Sequence, residues 1–169
     1  MALIARERNG RRVVTWHPTA LGADLTSDLV AQGLDTLAMP VAGGPDGPER
    51  AALREKIAAA EIGLTGADLA IAETGSLVLV SGSGRPRSTA LLPPYHVAIF
   101  DREVLVESLE QTGVFFEAWH EGQAEPGRGA AVHVITGPSR TADIELTLTR
   151  GVHGPKEVHA IFVDAPIRG

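Results

Sequence analysis

Two near-continuous apolar runs, Leu69-Ala70-Ile71-Ala72 and Leu77-Val78-Leu79-Val80, stand four residues apart in the middle of the chain. A strand with one wet face alternates apolar and polar residues, and these runs do not. They read as strands covered on both faces, so the rest of the chain must supply the covering layers. Their joint is Glu73-Thr74-Gly75-Ser76. Four residues allow a tight hairpin or a bulge, and Gly75 lets the backbone turn there.

Around these runs, strand-like and helix-like stretches alternate. Arg12 to Pro18 reads as a strand closed by proline, and Leu21 to Gly33 as a short helix ending at Gly33. Thr36 to Val41 reads as a second strand, and Gly43 to Pro48 as a loop. A helix then runs from Pro48 to about Glu61, with Leu53, Ile57 and Ala60 as its apolar stripe. Ser81 to Arg87 is a loop, and Tyr95 to Phe100 a strand. Asp101 is placed to cap a helix carrying Leu105, Leu109, Thr112, Phe116 and Trp119 on one face, weakened or kinked at Gly113. Glu121 to Gly129 reads as a loop and Ala131 to Thr136 as a strand. That strand runs into a Gly/Ser turn and a polar stretch with room for a short helix, and Val158 to Val163 is the last strand. Strands alternating with helices predict a three-layer α/β/α sandwich around a mainly parallel sheet, with ligands at the carboxyl ends of its strands.

The 169 residues suit one domain, and 44% hydrophobic with 21% charged is ordinary globular composition. Aromatics at 4% and a net charge of −6 disfavour a base-stacking platform and phosphate-backbone binding, so no nucleic-acid partner is expected. There is no cysteine. Disulfides, a thiol nucleophile, thiolate zinc sites and cysteine-ligated iron–sulfur clusters are thereby excluded from this chain. Met1 to Ala5 is too short for a signal-peptide core, and the longest uncharged run, Ser88 to Phe100, holds two prolines and cannot span a bilayer. A cytoplasmic protein without membrane contact is expected.

Familiar motifs are absent. The chain has no phosphate-binding G-x-x-x-x-G-K-[ST], no G-x-S-x-G elbow, and no H-E-x-x-H or H-x-H, so no metal site is expected. Gly82-x-Gly84 meets Arg87 where a dinucleotide fingerprint needs glycine. Two clusters remain. In Glu73-Thr74-Gly75-Ser76, a carboxylate beside hydroxyls at a strand end suits a base, a nucleophile or a ligand clamp, or else a solvated turn. The second runs Gly137-Pro138-Ser139-Arg140-Thr141-Ala142-Asp143-Ile144-Glu145, followed by Gly151-Val152-His153-Gly154-Pro155. Turn N–H groups beside Arg140 suit a carboxylate or phosphate, with Asp143 and Glu145 orienting Arg140 or meeting a hydroxyl. The structural alternative makes Ser139 an N-cap, Asp143 a helix-start charge, Arg140 half of an ion pair and His153 a turn residue. Arg85 and Arg87 form a small basic patch that reads foremost as a solvated loop.

Ala67 to Ser76, then Arg87 and Leu91-Leu92-Pro93-Pro94-Tyr95-His96, then Gly137 to Glu145, then Gly151 to Pro155, occur in that order. In this the chain resembles the LUD-domain family, the lactate utilisation protein C group. The resemblance covers roughly residues 62–164, and more loosely the strand and helix before it. It implies a single domain over 1–169, with a fold similar to the sugar-phosphate isomerase and CoA-transferase superfamily. The N-terminal helical segment usual in the family looks missing or shortened, because the chain starts almost directly in a strand.

The resemblance also implies a non-redox role in oxidising L-lactate to pyruvate beside cysteine-rich iron–sulfur subunits. The chain itself would carry no cofactor. Carried over by position, the candidate binding residues are Thr74, Gly75, Ser76, Arg87, His96, Gly137, Pro138, Ser139, Arg140, Thr141, Asp143, Glu145, His153 and Gly154, with Glu73 as the candidate catalytic residue. A small carboxylate or phosphate is the expected ligand, and a homodimer is compatible with the sequence. The rival readings are a stand-alone enzyme of CoA-transferase-like or sugar-phosphate-like chemistry using Glu73, and an assembly or regulatory module.

Overall fold

The computed structural model describes residues 1–41, 48–123, 128–138, 140–142, 148–150 and 154–167. The elements in chain order are α1 (Ala2–Glu7), β1 (Arg12–Thr15), α2 (Pro18–Leu21), α3 (Thr26–Ala31), β2 (Asp35–Ala38), α4 (Pro48–Ala59), β3 (Ile62–Thr65), β4 (Leu69–Ile71), β5 (Ser76–Gly82), α5 (Ser88–Leu91), β6 (Tyr95–Asp101), β7 (Leu105–Val106), α6 (Leu109–Ala118), β8 (Arg128–Ile135), β9 (Arg140–Ala142), β10 (Leu148–Arg150) and β11 (Glu157–Val163).

Five strands form a parallel sheet in the order β11-β6-β3-β1-β2. On one face Val13, Ile62, Leu64 and Val97 pack against Ala5 of α1, Leu21 of α2 and Leu29 of α3. On the other, Val14 meets Ile57 of α4, and Ala98 meets Ala70 and Leu77. The expected three-layer α/β arrangement around a parallel sheet is therefore present. The two apolar runs form the heart of a second sheet, β7-β4-β5-β8, which occupies part of the second flank. Here β4 and β5 make the tight hairpin, Leu69 opposite Val78, with Gly75 at φ +66 in its turn. Leu69–Ile71 and Leu77–Val80 are buried, and Ala72 at the end of the first run is exposed; Ala70 and Leu77 face the parallel sheet while Leu69, Ile71 and Val78 face Phe116 and Trp119.

Several expectations need correction. The stretch from Leu21 to Gly33 holds two helices, α2 ending at Leu21 and α3 beginning at Thr26; Gly22 at φ +88 closes the first. A helix, α1, precedes the first strand. Asp101 does not cap the long helix. It accepts the Glu103 N–H at the start of a 3-10 turn, Leu105 pairs with Ala70 in β7, and Ser108 caps α6. Among the described residues after Pro138, where a short helix had room, Arg140–Ala142 is a strand that pairs antiparallel with Leu148–Arg150. The loop expected from Glu121 to Gly129 begins within a π-turn, Trp119–Gln123, and gives way to β8 at Arg128. The Gly43–Pro48 loop lies almost wholly outside the described residues.

The strand that periodicity does not show is β3, Ile62–Thr65, at the centre of the parallel sheet. Only four residues long and interrupted by Gly63, it has no run to read. That glycine is a packing requirement: a Cβ there would lie 1.8 Å from the carbonyl oxygen of Thr89 in α5.

Candidate functional site

The β4–β5 turn and the end of β8 come together. Register places Leu77 opposite Ile135, which brings Ser76 beside Thr136. Thr74 Oγ1 donates to Ser76 Oγ at 2.7 Å, and Ser76 Oγ lies 2.9 Å from Thr136 Oγ1. A chain of three hydroxyls thus joins the first motif to the residue preceding Gly137 and Pro138. Glu73 is exposed, and its carboxylate accepts the Leu109 N–H at 3.1 Å, at the start of α6. This position favours a carboxylate through the helix dipole. Gly137 and Pro138 are half-buried, and Arg140 and Thr141 enter through the backbone of β9. Ser139, Asp143, Glu145 and His153 lie outside the described residues.

The other motif residues lie elsewhere. Gly154 precedes β11, where the Lys156 N–H donates to Pro94 O at 2.8 Å. His96 is fully buried on β6 between β3 and β11; its Nε2 lies 2.9 Å from Thr65 Oγ1, and its Nδ1 has no partner. Burial, reinforced by His159, pushes its pKa down to about 4. His96 is therefore neutral at physiological pH.

Arg85 and Arg87 part company. Arg85 is 5% exposed, which corrects its reading as part of a solvated loop. Its guanidinium bonds Asp68 Oδ1 at 3.1 Å and lies 5.8 Å from the centroid of the Trp16 ring. Asp68 also accepts the Val80 N–H at 2.6 Å, so a buried carboxylate joins the residues after β3 to β5. The turn that brings Arg85 inward needs Gly84: at φ +72, a Cβ there would meet His17 Cβ at 2.8 Å. Arg87 remains exposed.

Beside these residues, just beyond the carboxyl end of β1, a narrow cleft runs between α5 and the inner faces of β5 and β8. Trp16, Leu79, Ser81, Arg85, Arg87, Ala90, Leu91, His133 and Ile135 line it. His133, its neighbour Trp16 and the carboxylate Asp68 are the chemistry-bearing residues that sequence reasoning missed. For His133 the available signal was its place on a strand that runs into the Gly137 motif, and for Trp16 the strand end at Pro18. Burial, then the nearby Arg87 charge, lowers the His133 pKa. A larger cleft of about 360 Å³, lined by Arg6, Asn9, Arg11 and Gly33 among others, sits at the opposite, amino end of the parallel strands and contains no motif residue. Among the described residues, no group of three or more His, Asp or Glu side chains is arranged to hold a metal ion, and no helix is long and apolar enough to cross a membrane.

Comparison with known proteins gives a consistent result. The LUD domain profile matches residues 8–163. The lactate utilization protein C of Halalkalibacterium halodurans is 36% identical over 162 residues, covering 95% of this chain and 66% of that protein. The protein of the same name from Shouchella clausii is 39% identical over 113 residues, covering 65% of this chain and 47% of that protein. A crystal structure described as a DUF162 family protein, from Deinococcus radiodurans, aligns with a TM-score of 0.49 at 18% identity, over 94% of this chain and 91% of that one.

Proposed function

This chain belongs to the LUD-domain family, and from that premise we propose that it serves lactate utilisation as a non-redox subunit of an iron–sulfur system oxidising L-lactate to pyruvate. The observation that carries the reading is the family match along residues 8–163, together with relatives bearing the name lactate utilization protein C. The chain spans 66% of the first of these relatives and 47% of the second, so the whole proteins' activity is carried over here as part of the proposal.

The absence of cysteine supports the division of labour. Removing two electrons from lactate and passing them through clusters needs thiolate ligands, and this chain has none to offer. Cysteine-rich partner subunits would hold the clusters. This chain would contribute binding and orientation. A small carboxylate or phosphate would sit at the strand-end turns around Gly137, with Arg140 as its cation and turn N–H groups as donors. The hydroxyl chain through Thr74, Ser76 and Thr136 would hold that turn against the β4–β5 hairpin.

Anaerobic affinity purification of the tagged chain, from its own cells grown on L-lactate, tests the assembly. Co-purification of cysteine-rich proteins with stoichiometric iron is expected. Recovery of the chain alone and iron-free would overturn the subunit reading. Deleting the gene should abolish growth on L-lactate where no other lactate oxidase exists, and unimpaired growth would refute the role itself.

A further inference from the structure

We propose that the cleft at the amino end of the parallel strands binds a short phosphomonoester, with Arg6 and Arg11 holding its phosphoryl group and the amides of Asn9 and Gln32 meeting its hydroxyls. This goes beyond the reading above and does not depend on it. The cleft is built from residues that precede β1 and β2, whereas the Gly137 turn follows β8.

The sequence supplies the charge. Arg6-Glu7-Arg8-Asn9-Gly10-Arg11-Arg12 holds four of the 15 basic residues against one acid, in a chain of net charge −6. A local positive excess on an acidic protein draws an anion to one place and repels it elsewhere. Two of these arginines are committed. Arg8 Nε donates to Glu157 at 2.8 Å, and Arg12 Nε donates to Glu61 at 2.8 Å. The other two are not. Arg6 and Arg11 are exposed, and neither guanidinium has an ion pair or a hydrogen bond among the described residues.

The fold brings these two cations to one cleft. Helices α1 and α3 end alike. The Gly10 N–H closes on Ala5 O at 2.9 Å and the Leu34 N–H on Leu29 O at 3.1 Å, with Asn9 at φ +52 and Gly33 at φ +81 in the two turns. The turns lead into β1 and β2, which are neighbours in the sheet, so they lie side by side. Turn N–H groups already take the carbonyls of Ala5, Arg6, Leu29 and Val30. Neither guanidinium is therefore held there as a helix cap.

Size and lining narrow the ligand. About 360 Å³ is room for a small metabolite, and more than a bare phosphate ion fills. Two guanidinium groups balance a phosphoryl dianion, to which each can offer paired N–H donors. Among the described residues no carboxylate lines the cleft to oppose it. Asn9 and Gln32 add side-chain amides that donate and accept, which suits hydroxyl groups. The apolar lining is small, Ala2, Ala5 and Leu34, and matches a short carbon chain. No aromatic ring is present there for a nucleotide base to stack on.

Isothermal titration calorimetry of the full chain, at constant ionic strength, tests this with glycerol 3-phosphate, inorganic phosphate and succinate. Glycerol 3-phosphate should bind saturably at one site, inorganic phosphate more weakly, and succinate most weakly. Arg6→Gln and Arg11→Gln should each weaken glycerol 3-phosphate binding by about tenfold or more, with Arg11→Lys retaining part of it. Both positions are exposed, so thermal melting followed by circular dichroism should stay unchanged. Arg54→Gln removes an exposed charge from α4, outside the cleft, and should leave binding intact, as should Arg140→Gln. Absence of saturable binding would overturn the proposal, and so would equal binding by the double variant Arg6→Gln/Arg11→Gln. Equal loss in Arg54→Gln would reduce the effect to bulk charge and overturn it as well. Inorganic phosphate binding as tightly as the ester, or succinate binding more tightly, would overturn the ligand assignment.

Discussion

Strands β6 and β8 each carry a histidine whose basicity is lowered by burial, and the two settings could hardly differ more. His96 lies on a strand paired on both sides, in the middle of a parallel sheet, with Thr65 against its ring. His133 lies on a strand that, among the described residues, pairs with β5 alone, beside an exposed arginine and a cleft. The family motif singles out the first and passes over the second. A motif marks positions that tolerate little change, and a close-packed interior imposes that as firmly as a ligand does. Burial separates the two cases: His133 is half-buried, whereas His96 is enclosed by the fold.

The contrast between the enclosed interior and the more exposed positions around it can be tested by substitution. The largest effect is expected at Gly63. Gly63→Val drives a side chain into the Thr89 carbonyl, backbone against backbone, and should yield no cooperatively folding protein by circular dichroism. A folded variant of near-normal stability would show that α5 can move away and that the interior is less rigid than described.

Asp68→Ala comes next. It leaves the Arg85 guanidinium buried without its carboxylate and removes the acceptor of the Val80 N–H. A loss of about 3–5 kcal/mol is expected in urea denaturation, much of it recovered in the double variant Asp68→Leu/Arg85→Met. A loss below about 1 kcal/mol would place this junction with surface ion pairs instead.

The pH dependence is third. His96 has a folded-state pKa of about 4, below the ordinary 6.5, so the unfolded chain binds the proton more readily. The contribution of the neutral ring is fully present above about pH 6.5. It is lost progressively as pH falls toward 4, to a total on the order of 3 kcal/mol. His96→Gln should flatten that part of the stability profile while His133→Gln leaves it nearly unchanged. Equal slopes in wild type and His96→Gln would assign the acid sensitivity to other groups.

The smallest effect is expected at Glu73. As an exposed acceptor at the start of α6, its replacement by Gln should change stability by no more than about 0.5 kcal/mol. The same variant decides the stand-alone enzyme reading: loss of a turnover measured on the purified chain would support it.

Much of the parallel sheet is legible in the sequence, because β1, β6 and β11 are apolar runs bounded by prolines, glycines or charges. The α4 stripe of Leu53, Ile57 and Ala60 is legible for the same reason. What stays hidden is set by tertiary contacts. β3 has too few residues to show a period, and Leu105 passes for helix because its pairing with Ala70 is not local. Arg85 passes for a loop residue because its partner Asp68 lies 17 residues away. The site is half legible. Register explains why Ser76 and Thr136 meet, but no spacing rule announces that Trp16 and His133 share a cleft.

The strand order carries one more consequence. Reading outward from β2, the parallel sheet runs β2, β1, β3, β6, β11, so after the first pair each strand joins the same growing edge in the order of its synthesis. No strand must be threaded between two that are already paired. A nascent chain leaving the ribosome can therefore extend its sheet one edge at a time. The growing edge passes from strand to strand and ends at β11, with Glu157 of that strand fastened to Arg8 beside the first helix.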